Sequence, residues 1–335
     1  MTKIAFLFGG RSEEHEVSVA SAACLLPRLC SPRREIYPVF IDKDGALYRL
    51  SSPNALSEKG VDRAYLRPVT LSYSGRSLFF KDDNEDIFSP SLFFSVLHGR
   101  YGEDGAWQGL FALSDVPFIG CDVLSSAVCM NKAVTKELLE GAHIPTARYF
   151  SVHDASDGTL LTLEKLFSYP VFVKPATSGS SFGASRADTR DALKTAISDA
   201  LRYGKEVLVE EYIDGREISL AVLEKDGVLT VSPPGEILAD GVFDYEQKYG
   251  GRDTLLCPAH LNEAECEALT QLSKTIFRRL RCRHLARIDF FIGHDGRILF
   301  NEINTIPGFT SHSLYTRLVS LTQNDPLSLL DEVEK

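Results

Sequence analysis

The sequence predicts an α/β chain: a parallel layer comes first, and the later parts are α+β, built on one mixed sheet distinct from that layer. Three observations carry this. Residues 4–8 (I-A-F-L-F) form an apolar run that ends on Gly9-Gly10, the strand-to-turn opening of an α/β layer. A helical pattern follows, and residues 36–41 (I-Y-P-V-F-I) give a second strand. Far downstream, residues 287–292 and 298–303 are two apolar-rich runs joined by His294-Asp295-Gly296, which has turn chemistry.

Bulk properties narrow the function classes. At 335 residues the chain is long for one core, so two or three domains are expected. The net charge of -10 argues against a nucleic-acid groove, because phosphate backbones need a basic surface. Seven cysteines without a C-x-x-C pair fit reduced thiols in a cytoplasm rather than a disulfide framework or a zinc site. The N-terminal run meets glycine at once, which reads as a first strand and not a signal peptide. No window approaches a membrane span.

In chain order, Ser18 is placed to cap a helix through Val19, Ala22, Ala23 and Leu26. G-G-R-S-E-E lacks the G-x-G-x-x-G spacing, which argues against a nicotinamide dinucleotide despite the strand–glycine–helix opening. Residues 50–90 are polar and irregular, with weak strand signals at 64–66 and 77–80. Residues 92–97 are a clean strand running into H-G-R-Y-G-E-D-G at 98–105, and open α/β sheets bind ligands at such strand ends. Helical patterns start at Leu124 and continue through 132–139, which puts a boundary near 120–130. Residues 169–175 form a strand ending in Lys174. Thr177-Ser178-Gly179-Ser180-Ser181 follows as a hydroxyl- and glycine-rich loop, able to wrap phosphates while Lys132 and Lys174 supply charge. A linker is the plainer reading of that loop. Residues 207–213 are a strand ending in Glu210 and Glu211, and 218–224 with 228–231 pair around a Lys225-Asp226-Gly227 turn. Residues 240–254 are long enough for a lid, and 262–280 read as an amphipathic helix.

On the last hairpin, side chains two apart share a face. Arg287 points with Asp289, and Glu302 with Asn304. If the strands pair, two carboxylates, an amide oxygen and a guanidinium meet, a set suited to Mg2+ carrying a phosphate-rich substrate. A charged solvent face on an ordinary hairpin is the plainer reading of this stretch alone.

Five segments in register resolve that choice: F-G-G-R-S-E-E-H-E-V-S at 8–18, H-G-R-Y-G-E-D-G at 98–105, K-P-A-T-S-G-S-S at 174–181, D-Y-E-Q-K-Y at 244–249 and N-E-I-N-T-I-P-G-F-T-S-H-S-L at 301–314. Together they closely resemble the D-alanine–D-alanine ligases of the ATP-grasp superfamily, from residue 4 to about 316. The resemblance implies an ATP-grasp fold with an N-terminal Rossmann-like domain at 1–125, a central ATP-binding domain at 126–215 and a C-terminal domain at 216–335, with its lid at 240–254. It implies an ATP-dependent ligase making D-alanyl-D-alanine for peptidoglycan through an acyl phosphate, in the cytoplasm and as a homodimer.

By the same resemblance, Asp289, Glu302 and Asn304 hold two Mg2+ ions, with Mn2+ as a substitute. Lys132 and Lys174 meet the ATP phosphates. Ser181, Glu210, Glu211, Ile213, Glu217 and Lys248 complete the ATP site. Glu14 holds the first D-alanine's ammonium, and His98 sits beside the substrates. Arg287 and the backbone at Gly308 stabilise the oxyanion. Ser180 and Tyr249 tie the N-terminal domain to the lid, while Ser313 and Leu314 line the second amino-acid subsite. The chain departs from the family where 176–179 lacks the Arg and Glu of many relatives. Residues 50–90 and L-S-S-A-V-C-M-N-K at 124–132 also resemble resistance ligases that add D-serine, the alternative acceptor. Lys248-Tyr249 disfavours an ester-forming enzyme. A silent ATP-binding protein would lack a metal ligand or a phosphate lysine, and neither is missing.

Overall fold

The computed structural model describes residues 1–238 and 255–333. Its first sheet has eight strands, in the order Phe118–Ile119, Leu92–Ser95, Thr2–Gly9, Arg34–Ile41, Leu47–Leu50, Leu66–Ser74, Ser77–Asp82, Ile87–Phe88. The first four run parallel and the remainder antiparallel. Burial explains the division. Thr2–Gly9 is closed off almost along its whole length, as a central parallel strand must be. The antiparallel extension alternates, with Val69, Leu78 and Phe80 inside and their neighbours outside.

Residues 50–90 are therefore more ordered than their composition suggests. They supply this extension and a small hairpin, Leu56–Ser57 with Gly60–Val61, against the first helix. The strand expected at 64–66 begins only at Leu66, because Arg63–Tyr65 is a 3-10 turn capped by Asp62. The turn at Gly75-Arg76 has positive φ at both positions, the twist a two-residue hairpin needs.

The first helix, His15–Leu29, corrects the reading of Ser18. Ser18 lies inside the first turn and does not cap it. Its buried hydroxyl accepts from the Gly9 N–H at 2.8 Å and donates to the Val96 carbonyl at 2.6 Å. A serine near a helix start looks the same in sequence whether its hydroxyl turns to its own helix or to neighbouring strand ends.

The later strands form two antiparallel sheets, not the one mixed sheet expected of 207–213, the 218–231 hairpin and the last hairpin together. One orders Tyr149–Val152, Val207–Glu211, Val171–Pro175 and Ser185–Ala187. Helices Asp157–Leu166 and Arg190–Ala200 bury Leu160, Leu163, Leu193 and Ile197 against it. The other orders Leu255–Leu256, Gly235–Ile237, Gly215–Lys225, Leu285–Gly293 and Ile298–Asn304, with Val228–Val231 also on Gly215–Lys225. Asp226-Gly227 closes that last pairing with positive φ at both residues, as the sequence anticipates.

Each face of the six-stranded sheet has a different cover. Helix Glu263–Arg279, opened by an Asn262/Glu265 capping box, packs Leu269, Ile276 and Phe277 on one face. Cys121, Cys129, Leu139 and Ile144 join the same core. Helix Leu314–Ser320 covers the other face, where Tyr315 and Leu318 share one cluster with Ala221, Leu223, Phe94 and Leu25. That shared core fixes the first sheet against the strands carrying Asp289 and Glu302.

Candidate active site

The hairpin pairs as its alternation requires. Asp289 and Glu302 are register partners, as are Arg287 and Asn304, with the ladder shifting by a residue just after Asp289. A shift of this kind locally increases twist and re-aims side chains. Asp289 is buried, and its Oδ1 accepts from the Ser219 hydroxyl at 2.6 Å. Arg287 donates from Nε to Oδ1 at 3.0 Å and from Nη2 to Oδ2 at 2.8 Å. Glu302 is half-buried, with Oε2 3.5 Å from Lys132 Nζ and Oε1 3.9 Å from Arg287 Nη2. Asn304 Oδ1 accepts from the Ile306 N–H at 3.1 Å.

This donor set fits Mg2+. It has two carboxylates and one amide oxygen, all hard ligands, with two cations balancing the carboxylates. Among the described residues no group of three or more His, Cys, Asp or Glu forms a closed metal cage. Mg2+ is normally held this way, by one or two carboxylates while substrate phosphates and water complete its shell.

Two cavities meet at this point. One, of about 330 Å³, lies between the two later sheets and is lined by Lys174, Ser181, Glu210, Glu211, Ile213 and Glu217 among others. Lys132, the first residue of helix Lys132–Glu140, donates from Nζ to the Ser178 carbonyl at 2.7 Å. Lys174 Nζ stands 2.9 Å from Glu210 Oε2 and donates to Asn301 Oδ1 at 3.1 Å. Sequence reasoning missed Lys136, which is fully buried with Nζ 2.7 Å from Glu210 Oε1 and 5.3 Å above the Tyr149 ring. Burial pushes the Lys136 ammonium down from its usual range, against the Glu210 charge. Glu210 stays low despite its burial, because Lys136 and Lys174 flank it. The carboxylate expected at the nucleoside thus also anchors Lys174. Glu211 accepts from the Arg148 N–H at 3.0 Å.

The second cavity, about 720 Å³, is lined by Glu14, His98, Arg287, Gly308, Ser313 and Leu314 and also by Ser180. Lys132, Ser178 and Glu302 line both cavities. Glu14 is buried at the start of the first helix and accepts from the Ser180 hydroxyl. Ser180 and Ser181 hold positive φ, which points their backbone away from an extended path. The Ser313 oxygen accepts from the Thr310 N–H at 3.1 Å and lies 2.8 Å from Thr310 Oγ1. Leu314 packs beside Ile237 and Leu255.

His98 has both ring nitrogens engaged by protein, Nδ1 with the Ile306 carbonyl at 2.7 Å and Nε2 with Ser21 Oγ at 3.1 Å. Burial pushes its pKa down to about 4. Glu103 went unsingled in the sequence. It is buried, and it accepts from Gly99 N–H at 2.7 Å and Ile306 N–H at 3.0 Å. Burial, followed by the Glu14 charge, pushes it up to about 8. Its place in H-G-R-Y-G-E was the available signal. Glu58, from the 50–90 segment, also reaches the second cavity. Lys248, Tyr249 and the 240–254 stretch lie outside the described residues.

Two antiparallel sheets facing each other across one cavity, joined to a second cavity at a lysine and a carboxylate, are the frame of an ATP-grasp enzyme. Family models for the D-ala D-ala ligase N-terminus and C-terminus match residues 3–121 and 138–333. The chain belongs to the D-alanine–D-alanine ligase family. It is 39% identical over 333 residues to D-alanine–D-alanine ligase A of Mesorhizobium japonicum, covering 95% of this chain and 92% of the relative. It is 38% identical over 325 residues to the vancomycin/teicoplanin A-type resistance protein VanA of Enterococcus faecium, covering 95% and 93%. The solved VanG D-Ala:D-Ser ligase of Enterococcus faecalis superposes with a TM-score of 0.86 at 34% identity, covering 99% and 98% of the two chains.

Proposed function

We propose that the chain joins two D-alanines, consuming ATP and releasing ADP and phosphate. The single observation that carries this is the meeting of the two cavities at Lys132, Ser178 and Glu302. A γ-phosphate reaching from one cavity and a carboxylate held in the other would come together there.

In the first step a carboxylate oxygen of D-alanine attacks the γ-phosphorus, the bond to the β-bridging oxygen breaks, and ADP leaves. Lys132 and Lys174 neutralise phosphate charge, and Glu14 holds the substrate ammonium. Asp289, Glu302 and Asn304 would hold Mg2+, which would supply charge neutralisation for the transferring phosphoryl group. In the second step the amine of the second D-alanine attacks the acyl carbon. Arg287 and the Gly308 N–H face the developing oxyanion. The amine loses a proton, the C–O bond breaks, and phosphate departs. Ser313 receives the acceptor carboxylate beside Leu314.

The similarity to a D-Ala:D-Ser ligase favours D-serine as a second acceptor reading. An added hydroxyl changes affinity modestly unless a side chain bonds it. A reducing cytoplasm is supported by seven free cysteines. No described helix is long and apolar enough to cross a membrane. A homodimer rests on the family resemblance, as does service to peptidoglycan synthesis.

The test is ADP formation with product mass, using MgATP and D-alanine alone, then D-alanine with D-serine or with D-lactate. Dipeptide from D-alanine alone supports the reading. Turnover only with the mixed D-serine pair reassigns the acceptor, and no turnover with any D-amino acid overturns the ligase.

A further inference from the structure

Residues 306–309, which flank the backbone at Gly308, are held from two sides: the Ile306 N–H is shared between Asn304 Oδ1 of their own hairpin at 3.1 Å and Glu103 Oε1 at 3.0 Å, and the remaining contacts come from side chains near the N-terminal sheet. Ser21, wholly buried on helix His15–Leu29, accepts from the Phe309 N–H at 3.1 Å. The Ile306 carbonyl can only accept, so His98 Nδ1 carries the proton in their 2.7 Å contact. A neutral ring then leaves Nε2 as an acceptor, which fixes Ser21 as the donor across 3.1 Å. The backbone that carries the ring is held as well, because Ser12 Oγ donates to the His98 carbonyl at 2.6 Å. Phe309 buries its own ring between Phe94 and Tyr315, with centroids 6.5 and 5.8 Å away. The chain of contacts therefore runs Phe309 N–H to Ser21, Ser21 to His98, and His98 to the Ile306 carbonyl, closing on both sides of Gly308.

We propose that Ser21, acting with His98, is a positioning residue that holds residues 306–309 so that the Gly308 N–H is aimed at the oxyanion of the amide-forming step. This rests on the ligase reading above, in which Gly308 serves that step. Ser313 is tied to Thr310 by contacts that do not pass through Ser21. Its hold on the acceptor carboxylate is therefore expected to survive when Ser21 is altered. A preorganised donor misaimed by a fraction of an ångström loses much of its effect on the transition state while ground-state binding changes little.

The experiment is rapid-quench single turnover of the full chain with MgATP and D-alanine, following ADP and dipeptide separately. In Ser21→Ala the rate of ADP formation should stay within about threefold of wild type, while dipeptide formation should slow by about tenfold or more. The acceptor KM should move less than about threefold. Ser21→Cys, whose thiol is a weak donor to His98 and a weak acceptor for the Phe309 N–H, should show the same split. It is read in place of Ser21→Ala if that variant does not fold. Equal slowing of both steps, or wild-type dipeptide formation in both variants, overturns the proposal. Failure of the wild-type chain to make dipeptide would instead sink the ligase reading itself.

Discussion

Asp289 and Glu302 sit opposite one another as register partners on neighbouring antiparallel strands, at the point where the ladder shifts. Arg287 grips the first at 2.8 Å, while Lys132 approaches the second at 3.5 Å. The pair is thus a balanced cluster, and Glu302, half-buried at the junction of both cavities, is the more accessible member. Glu302→Gln removes a charge there without removing a packed group. Turnover should fall about a hundredfold or more, since the ion it would hold stabilises transferred charge. Far-UV circular dichroism and the melting temperature should be unchanged. A variant with near wild-type kcat would refute the role.

The buried charges around Glu210 make an ordering prediction. Lys136 and Lys174 approach its two oxygens at 2.7 and 2.9 Å. Lys136→Met leaves one cation and one anion still paired, whereas Glu210→Gln leaves two buried ammonium groups facing each other. Breaking a buried pair from one side costs about 3–5 kcal/mol. Glu210→Gln should lie at the upper end or beyond, and Lys136→Met below it, by urea denaturation. In Lys136→Met the KM for ATP should also rise, because Glu210, the counter-ion of Lys174, loses the partner that fixes its other oxygen. The reverse order of stabilities would show that the triad does not share its charge as described.

Much of this arrangement was legible, and the exceptions have physical causes. The 287–304 hairpin was readable because its alternation of charge and apolar residues is a period of two, and pairing then fixes the face. Lys136 was not, since a lysine on a helix between Thr135 and Glu137 reads as solvent-facing. Only the tertiary fold brings Glu210 across to it. Ser21 hides for the same reason, because its partners Phe309 and His98 are 288 and 77 residues away. The antiparallel nature of the later sheets was missed because strand direction depends on connections, not on the strands' own residues. The Asp226-Gly227 turn was found, because both positions demand positive φ.

His98 sets a pH dependence. Its folded pKa, about 4, lies below the ordinary 6.5 because burial disfavours the cation and the Arg287 charge adds to this. The unfolded chain therefore binds more protons across that interval, and stability is lost as pH falls from 6.5 toward 4. The contribution is about 3 kcal/mol when the whole window is crossed. Denaturation curves of wild type and His98→Asn at neutral pH and near pH 4 should converge on acidification, the variant lacking this slope. Parallel pH dependence in both would count against a neutral buried ring.

Gly179 sits against Glu14. A methyl group there would fall 2.6 Å from Glu14 Oε2. Its backbone φ is not in the left-handed region, so Gly179→Ala acts by displacing the carboxylate rather than by straining the chain. The KM for the first D-alanine should rise about tenfold, with the KM for ATP within about twofold. Initial-rate kinetics with both substrates varied would check this. Equal effects on both constants would place the disturbance in the loop as a whole.

The central claim is that a D-alanine carboxylate takes up the γ-phosphoryl group before the amide forms. It is tested most directly with D-alanine labelled in its carboxylate with a heavy oxygen isotope, by mass analysis of the phosphate released. One labelled oxygen in phosphate for each dipeptide is the expected result. Dipeptide formed alongside unlabelled phosphate would contradict the account.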